Sequence, residues 1–239
     1  GLELCDISNL VASCGFGVFS GAIERGGSVR GIRLPKSTLT RKQIDSLTKV
    51  VAEYGAKGLA WCKIKEDGSW QSTFGKFLDE ETKAEITEKM NMEVGDIAFF
   101  VADKNKVVYA ALGVLRQHLA QLLNMTSETD YNFLCVLDFP SLEYCADDGR
   151  YYAMHHPFTS PVPEDIELLE SEPKKVRGQH YDIVLNGVEL GGGSIRIHQP
   201  DLQKKVFEDI LAIPADVVKS RFGYMLEAFT FGAPPHGGI

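Results

Sequence analysis

Nothing in this sequence is apolar for long enough to read as a membrane span. The runs at residues 97–101 and 134–137 fall far short of the roughly 20 residues that a bilayer requires. The start, Gly1-Leu2-Glu3-Leu4-Cys5-Asp6, lacks a basic flank and an apolar signal core. Neither membrane insertion nor secretion is therefore expected. Cysteine is sparse and unpatterned: Cys5, Cys14, Cys62, Cys135 and Cys145 are odd in number, scattered, and form no C-x-x-C pair. That argues against a zinc or disulfide framework and for reduced, mostly buried thiols in cytoplasm. Basic residues are outnumbered, 25 against 33, for a formal charge of -8. Such a balance disfavours a surface that coats nucleic acid non-specifically, although it leaves room for a local basic patch. Also missing are a G-x-x-x-x-G-K-[ST] phosphate loop, a nucleophile elbow around any serine or cysteine, and any internal repeat or low-complexity run. Gly15-Phe16-Gly17 lacks the third glycine and following helix of a dinucleotide site. What is present is ordinary: 239 residues, 44% apolar and 24% charged. That length suits one large or two modest domains, burying roughly 70–75% of the unfolded surface.

The first half alternates strand and helix signals. Residues 16–23 and 28–34 are short apolar runs around Gly26-Gly27, which predicts a hairpin. Thr40-Arg41-Lys42-Gln43 opens a capping box, Ile44, Leu47, Val51 and Tyr54 follow at helical spacing, and Gly55 stops the helix. Residues 59–64 predict a strand, Asp67-Gly68 a turn, 80–90 a helix, and 97–101 a buried strand. Residues 106–123 predict a helix with Val107, Ala110, Ala111, Val114, Leu115, Leu119 and Leu122 on its apolar side. A polar stretch at 124–130 then marks a boundary. Beyond it, 131–138, 151–154, 181–185 and 194–198 predict strands, mostly linked too closely for parallel crossovers, hence an antiparallel sheet. Helices are expected at 201–211 and 215–229, the latter burying Val218, Phe222, Met225, Leu226 and Phe229 and ending at Gly232. The chain stops at His236-Gly237-Gly238-Ile239, as if a new strand were starting, which suggests a fragment.

Two constellations carry chemistry. In Tyr181-Asp182-Ile183-Val184-Leu185, Asp182 interrupts an apolar strand, and a buried carboxylate needs a partner. Glu189 lies on the next run, followed by Gly191-Gly192-Gly193 and then Ser194, Arg196 and His198 alternating with Ile195 and Ile197. Three glycines in a sheet point to a bulge or to close approach of something to the backbone. Two carboxylates, a guanidinium and a bare glycine floor suit an anion and Mg²⁺ site. The same pattern also suits a solvated sheet face with a surface ion pair. The second constellation is Met154-His155-His156-Pro157-Phe158-Thr159-Ser160-Pro161. Adjacent histidines at a strand end point to opposite sides, so metal chelation is not expected; a proline-stiffened junction with one histidine packed and one exposed, or a substrate-contacting loop, fits better. Lys174, Lys175 and Arg177 form a small basic cluster in a predicted loop, more in keeping with solvated surface than with nucleic acid.

Asp138-Phe139-Pro140, the run Ala153-Met154-His155-His156-Pro157-Phe158-Thr159-Ser160-Pro161, and Asn186-Gly187-x-Glu189-x-Gly191-Gly192-Gly193-Ser194-Ile195-Arg196-Ile197-His198 are followed by Gly232-Ala233-Pro234-Pro235-His236-Gly237-Gly238. In that order these motifs resemble the C-terminal part of the catalytic core of bacterial-type aspartyl-tRNA synthetases. Leu39-Thr40-Arg41-Lys42-Gln43-Ile44 and Tyr54-Gly55-Ala56-Lys57-Gly58-Leu59 resemble the insertion (GAD) domain of those enzymes, which recurs in the amidotransferase B subunit. The resemblance implies an α+β fold: a GAD-like insertion domain over 1–128 and a partial class II antiparallel catalytic sheet with flanking helices over 129–239. It implies activation of L-aspartate with Mg·ATP, transfer to tRNA, a homodimeric full-length enzyme and a cytoplasmic setting. Carried over by position, His155 and Arg196 would bind aspartate, Glu189 would serve ATP, and Asp182 with Glu189 would hold Mg²⁺; no protein nucleophile is implied. Nothing here resembles the family's anticodon-binding barrel or its first and second motifs, and the third is cut short, so the chain alone is expected to be inactive in adenylation. The alternatives are a non-catalytic tRNA- or partner-binding module and an amidotransferase B-subunit-like domain.

Overall fold

The structure, a computed structural model, describes residues 2–127 and 129–239. The chain divides into two compact units, Gly1–Ser127 and Glu128–Ile239. Among the described residues no helix is long and apolar enough to cross a membrane.

The first unit is a five-stranded antiparallel sheet in the order β1-β2-β5-β3-β4, made of β1 (Leu4–Asp6), β2 (Ser28–Leu34), β3 (Ala60–Ile64), β4 (Trp70–Ser72) and β5 (Ile97–Asp103). The central strand β5 is an unbroken apolar run because both its faces are covered. Ile97, Phe99 and Val101 enter one core cluster with α3 (Arg41–Ala52) and α5 (Asn105–Leu122). Ala98 and Phe100 enter the other, with α1 (Ser8–Val11), α2 (Gly17–Glu24) and α4 (Glu80–Lys89). Gly31 of β2 lies opposite Phe100, and a Cβ there would sit 2.6 Å from that ring. The Thr40 capping box forms as expected: Thr40 Oγ1 accepts from the Gln43 amide and Gln43 Oε1 accepts from the Thr40 amide at 2.9 Å. Gly55 ends the turn at φ +87°.

Two expectations for this unit are corrected. Residues 16–23 are not a strand but α2, because Phe16, Phe19 and Ile23 repeat at helical spacing against the aromatic core, with Phe19 against Phe74 at 4.9 Å between ring centroids. Strand β2 therefore pairs with β1 and β5 instead of closing a hairpin. The buried stripe of α5 is Val108, Ala111, Leu112, Leu115 and Leu119, one position round from the expected side, so that Ala110 and Leu122 face solvent.

The second unit holds a four-stranded antiparallel sheet in the order β11-β10-β9-β6 and a separate hairpin, β7 (Leu142–Cys145) with β8 (Arg150–Ala153). The sheet comprises β6 (Phe133–Val136), β9 (His180–Leu185), β10 (Val188–Ile195) and β11 (Gly237–Gly238). Its core lies between the hairpin, α6 (Leu168–Ser171) and α7 (Pro200–Lys205): Leu142, Leu169, Val176, Ile197, Val206, Ile210 and Leu211. Of the strand expected at 194–198 only Ser194 and Ile195 are strand, as the end of the longer β10 that carries the glycines within it; Arg196 makes an isolated bridge to Thr159, and Ile197 and His198 lie outside any strand. β6 is shorter than expected and is followed by Asp138 at φ +57°. The helix expected at 201–211 turns π-helical over Val206–Ile210, and the extra residue lets Val206, Phe207, Ile210 and Leu211 all point inward. On α8 (Ala215–Thr230) only Val218 is buried, since one side alone packs against α7 and the π turn; Phe222, Met225, Leu226 and Phe229 are half-buried.

Candidate active site

Strands β9 and β10 meet at Asn186-Gly187, whose φ values of +51° and +83° suit a tight hairpin turn. Val188 faces Leu185 and Glu189 faces Val184; then a bulge at Leu190 shifts the register, so that Gly191 faces Ile183, Gly192 faces Asp182 and Ser194 faces His180. Residues opposite one another share a sheet face. Simple alternation would send Glu189 to the face of Gly191 and Gly193. The bulge returns it to the face of His180, Asp182, Gly192 and Ser194, where Arg196 follows two residues later.

The glycines leave room for the site's own polar groups. A Cβ on Gly192 would lie 2.5 Å from Asp182 Oδ1, and one on Gly238 would lie 2.7 Å from Arg196 Nη2. The Asp182 carboxylate thus lies across Gly192, and the Arg196 guanidinium across Gly238. The Arg196 amide donates to His236 O at 2.9 Å, which ties that strand end to the last loop. Among the described residues, Arg196 Nη1 is buried and has no hydrogen-bond partner, and the same holds for His180 Nδ1. Each such atom costs about 1–3 kcal/mol unless a ligand satisfies it, more where the group is charged. Among the described residues Asp182 and Glu189 make no ion pair, and no group of three His, Cys, Asp or Glu side chains could hold a metal ion.

Beside this face, Thr159 Oγ1 is hydrogen-bonded to Ser194 Oγ and to His155 Nδ1, each at 3.3 Å. With Nδ1 engaged by Thr159, Nε2 is the ring nitrogen left for a ligand. The His155 ring stacks on His180 (centroids 5.0 Å apart), and His180 stacks on Phe139 (4.6 Å). His155 and His156 both lie in the turn beyond β8, where strand alternation no longer applies, and both are solvent-exposed instead of one being packed. His156 rests edge-on against Phe158. Burial, then the charges of Arg196 and His155, lower the His156 pKa; burial and His155 lower that of His180 against a partial offset from Asp182. Gln203, fully buried, donates to Pro157 O at 3.0 Å and pins the turn.

Sequence reasoning missed His180, Thr159 and Gln203. His180 was legible by parity, being two residues before Asp182. Thr159 and Gln203 act through contacts at 35 and 46 residues' separation, which no local pattern encodes. The basic cluster is engaged internally: Arg177 forks onto Asp165 (2.8 and 3.1 Å), Lys175 pairs with Glu172, and Lys174 sits over the Tyr144 ring.

A GAD domain model matches residues 19–112. Over its whole length the chain is 50% identical to an aspartate–tRNA(Asp/Asn) ligase of Lachnoclostridium phytofermentans and 52% identical to one of Opitutus terrae, covering 40% and 41% of those proteins. An aspartyl tRNA synthetase from Entamoeba histolytica aligns structurally over 88% of this chain and 38% of its own, at 16% identity and a TM-score of 0.32. The chain spans about 40% of the length of the curated relatives it matches. By sequence the chain is similar throughout to a stretch of aspartate–tRNA ligases, and its residues 19–112 match the GAD domain.

Proposed function

We propose that the second unit supplies the aspartate-recognising wall, and part of the ATP site, of an enzyme that activates L-aspartate and esterifies it to tRNA. On this reading residues 1–128 form the insertion domain and 129–239 part of the class II catalytic domain of a homodimeric, cytoplasmic enzyme. One observation carries it: Arg196 Nη1 is buried without a partner among the described residues, on the sheet face that also bears Asp182 and Glu189. A guanidinium with an unmet donor calls for a planar anion, and a carboxylate accepts its fork in two parallel bonds. Arg196 takes the side-chain carboxylate of aspartate, and His155, oriented through Thr159, makes a second contact to the amino acid.

In the reaction an α-carboxylate oxygen of aspartate bonds to the α-phosphorus of ATP, and the bond to pyrophosphate breaks. The terminal ribose hydroxyl of tRNA then attacks the aspartyl carbonyl, and AMP leaves. Neither step needs a protein nucleophile; the site contributes orientation and charge. Asp182 and Glu189 would hold a Mg²⁺ ion, since that ion takes one or two carboxylates and leaves its other positions to water and phosphate. When bound, it would neutralise charge that develops on the phosphate under attack.

The test is aspartate charging of tRNA by the polypeptide the gene encodes, flanks included. Wild type should charge aspartate. Arg196→Leu should raise the aspartate KM by about 30-fold or more, the loss expected from truncating a buried, hydrogen-bonded charge partner, with the ATP KM changed only a few-fold. Equal losses for both ligands would remove the role given to Arg196.

A further inference from the structure

His180 is 6% exposed, and among the described residues its ring makes no hydrogen bond. It is held instead by flat surfaces. Phe139 stacks on it at 4.6 Å between centroids and 15° between planes, and His155 at 5.0 Å and 23°. Position 178 must be glycine for this to fit: a Cβ there would be 2.6 Å from His180 Nδ1. The Gly178 amide donates to Phe139 O at 2.8 Å, so the residue that clears space for the ring also fixes the backbone of the residue beneath it. His155, by contrast, sits on an exposed turn, its ring hydrogen-bonded to Thr159 alone among the described residues, and a ring pinned at one nitrogen can still swing. A parallel face removes that second freedom.

We propose that His180 is a positioning residue: stacked with both Phe139 and His155, its ring holds the His155 ring in the plane that presents Nε2 to the amino-acid ligand. The inference rests on the aspartate site proposed above and deepens it, by naming what orients a contact that His155 cannot orient alone. His180 acts through its face and not through its nitrogens. Freezing a rotamer-rich side chain on binding costs an amount equivalent to about 2- to 10-fold in affinity; the stack removes that cost before the ligand arrives.

The experiment compares His180→Ala and His180→Phe in the full encoded polypeptide, with thermal melts to verify folding. His180→Ala should raise the aspartate KM about 3- to 10-fold, within the range of one unfrozen side chain, and leave the ATP KM unchanged. His180→Phe, which keeps a planar ring and loses both nitrogens, should return the aspartate KM to within about 2-fold of wild type, since the orientation cost is again removed. An alanine variant with an unchanged aspartate KM would overturn the proposal. So would a phenylalanine variant as impaired as alanine, since that would place a ring nitrogen on the ligand. The stack is read separately, without activity, from the ring-current shift of the His155 side-chain protons. Those shifts should be present in wild type and in His180→Phe and lost in His180→Ala; identical shifts in all three would sink the stacking argument even if wild type charges tRNA. If wild type shows the shifts but uses no aspartate, the functional reading fails and the stack stands.

Discussion

The sheet of the first unit is covered by helices on both faces, whereas that of the second leaves much of its apolar surface in solvent. Along β5 every residue from Ile97 to Val101 is buried, odd positions into one cluster and even positions into the other. Along β6 and the β9–β10 hairpin, Phe133, Leu134, Ile183, Val188 and Leu190 are exposed, and the core of that unit lies off the sheet, under α7 and the β7–β8 hairpin. Glycine shows the same contrast. Gly31 makes way for the Phe100 ring, an apolar fit, while Gly192 and Gly238 make way for a carboxylate and a guanidinium. Strand residues in the first unit are chosen by packing, while those in the second make room for charged groups on the face of the candidate site. Substitutions in the first should therefore cost stability, and those on the site face of the second should cost ligand recognition.

The largest stability effect should come from Phe100→Ala. That ring is fully buried against Gly31 and Phe74, with centroids 5.4 Å apart in the latter pair. The transfer and cavity terms together should destabilise the first unit by about 3–5 kcal/mol, measured by denaturant unfolding followed at a probe in that unit. A loss under about 1 kcal/mol, the level of ordinary surface changes, would break the comparison.

Next comes Asp96, fully buried at the end of the same sheet. Burial alone would raise its pKa. The backbone amides of Glu93 and Lys36 (both 2.8 Å) and Arg33 Nε (2.7 Å) more than offset that, and the carboxyl ends below its ordinary value. A depressed folded-state pKa stabilises the fold above the unfolded value near 3.8, and that stability is lost as pH falls through the folded value. Asp96→Asn should cost about 3 kcal/mol at pH 7, because Arg33 loses its buried partner. It should also flatten the fall of first-unit stability below about pH 4. An unchanged acid limb would show that Asp96 is not what titrates there.

The same contrast explains what the sequence discloses. Thr40 and Gln43, the Asp67-Gly68 turn and the apolar run at 97–101 are local signals that packing reinforces, and they form where the pattern places them. Residues 16–23 mislead because an aromatic-rich run with glycines satisfies either period, and only the ring cluster around Phe74 selects the helix. In the second unit, the alternation of Ser194 and Arg196 with Ile195 and Ile197 is plain in the sequence, and three glycines signal either a bulge or a close approach to the backbone. The exact residue at which the bulge falls is not, yet it decides that Glu189 shares a face with Asp182. The partners of the histidine turn come from strands and helices far along the chain, so the stack of Phe139, His180 and His155 follows only from the fold.

The smallest effect sharpens the comparison most. Ile183 lies on β9 and is 38% exposed, on the face opposite Asp182. Ile183→Thr keeps the β-branched shape that suits a strand and removes apolar surface that water already reaches. If packing does not govern this face, the change should alter unfolding free energy by no more than about 0.5 kcal/mol, as for surface substitutions generally. The equivalent change at Ile32 of β2, which is fully buried, should cost several times as much, because it places a hydroxyl in a closed apolar cluster. Measured together in one polypeptide, the pair separates a covered sheet from an open one without reference to activity. A loss at Ile183 as large as that at Ile32, growing with protein concentration, would mean that the face is covered by association between chains, and the second unit would then obey the same packing rule as the first.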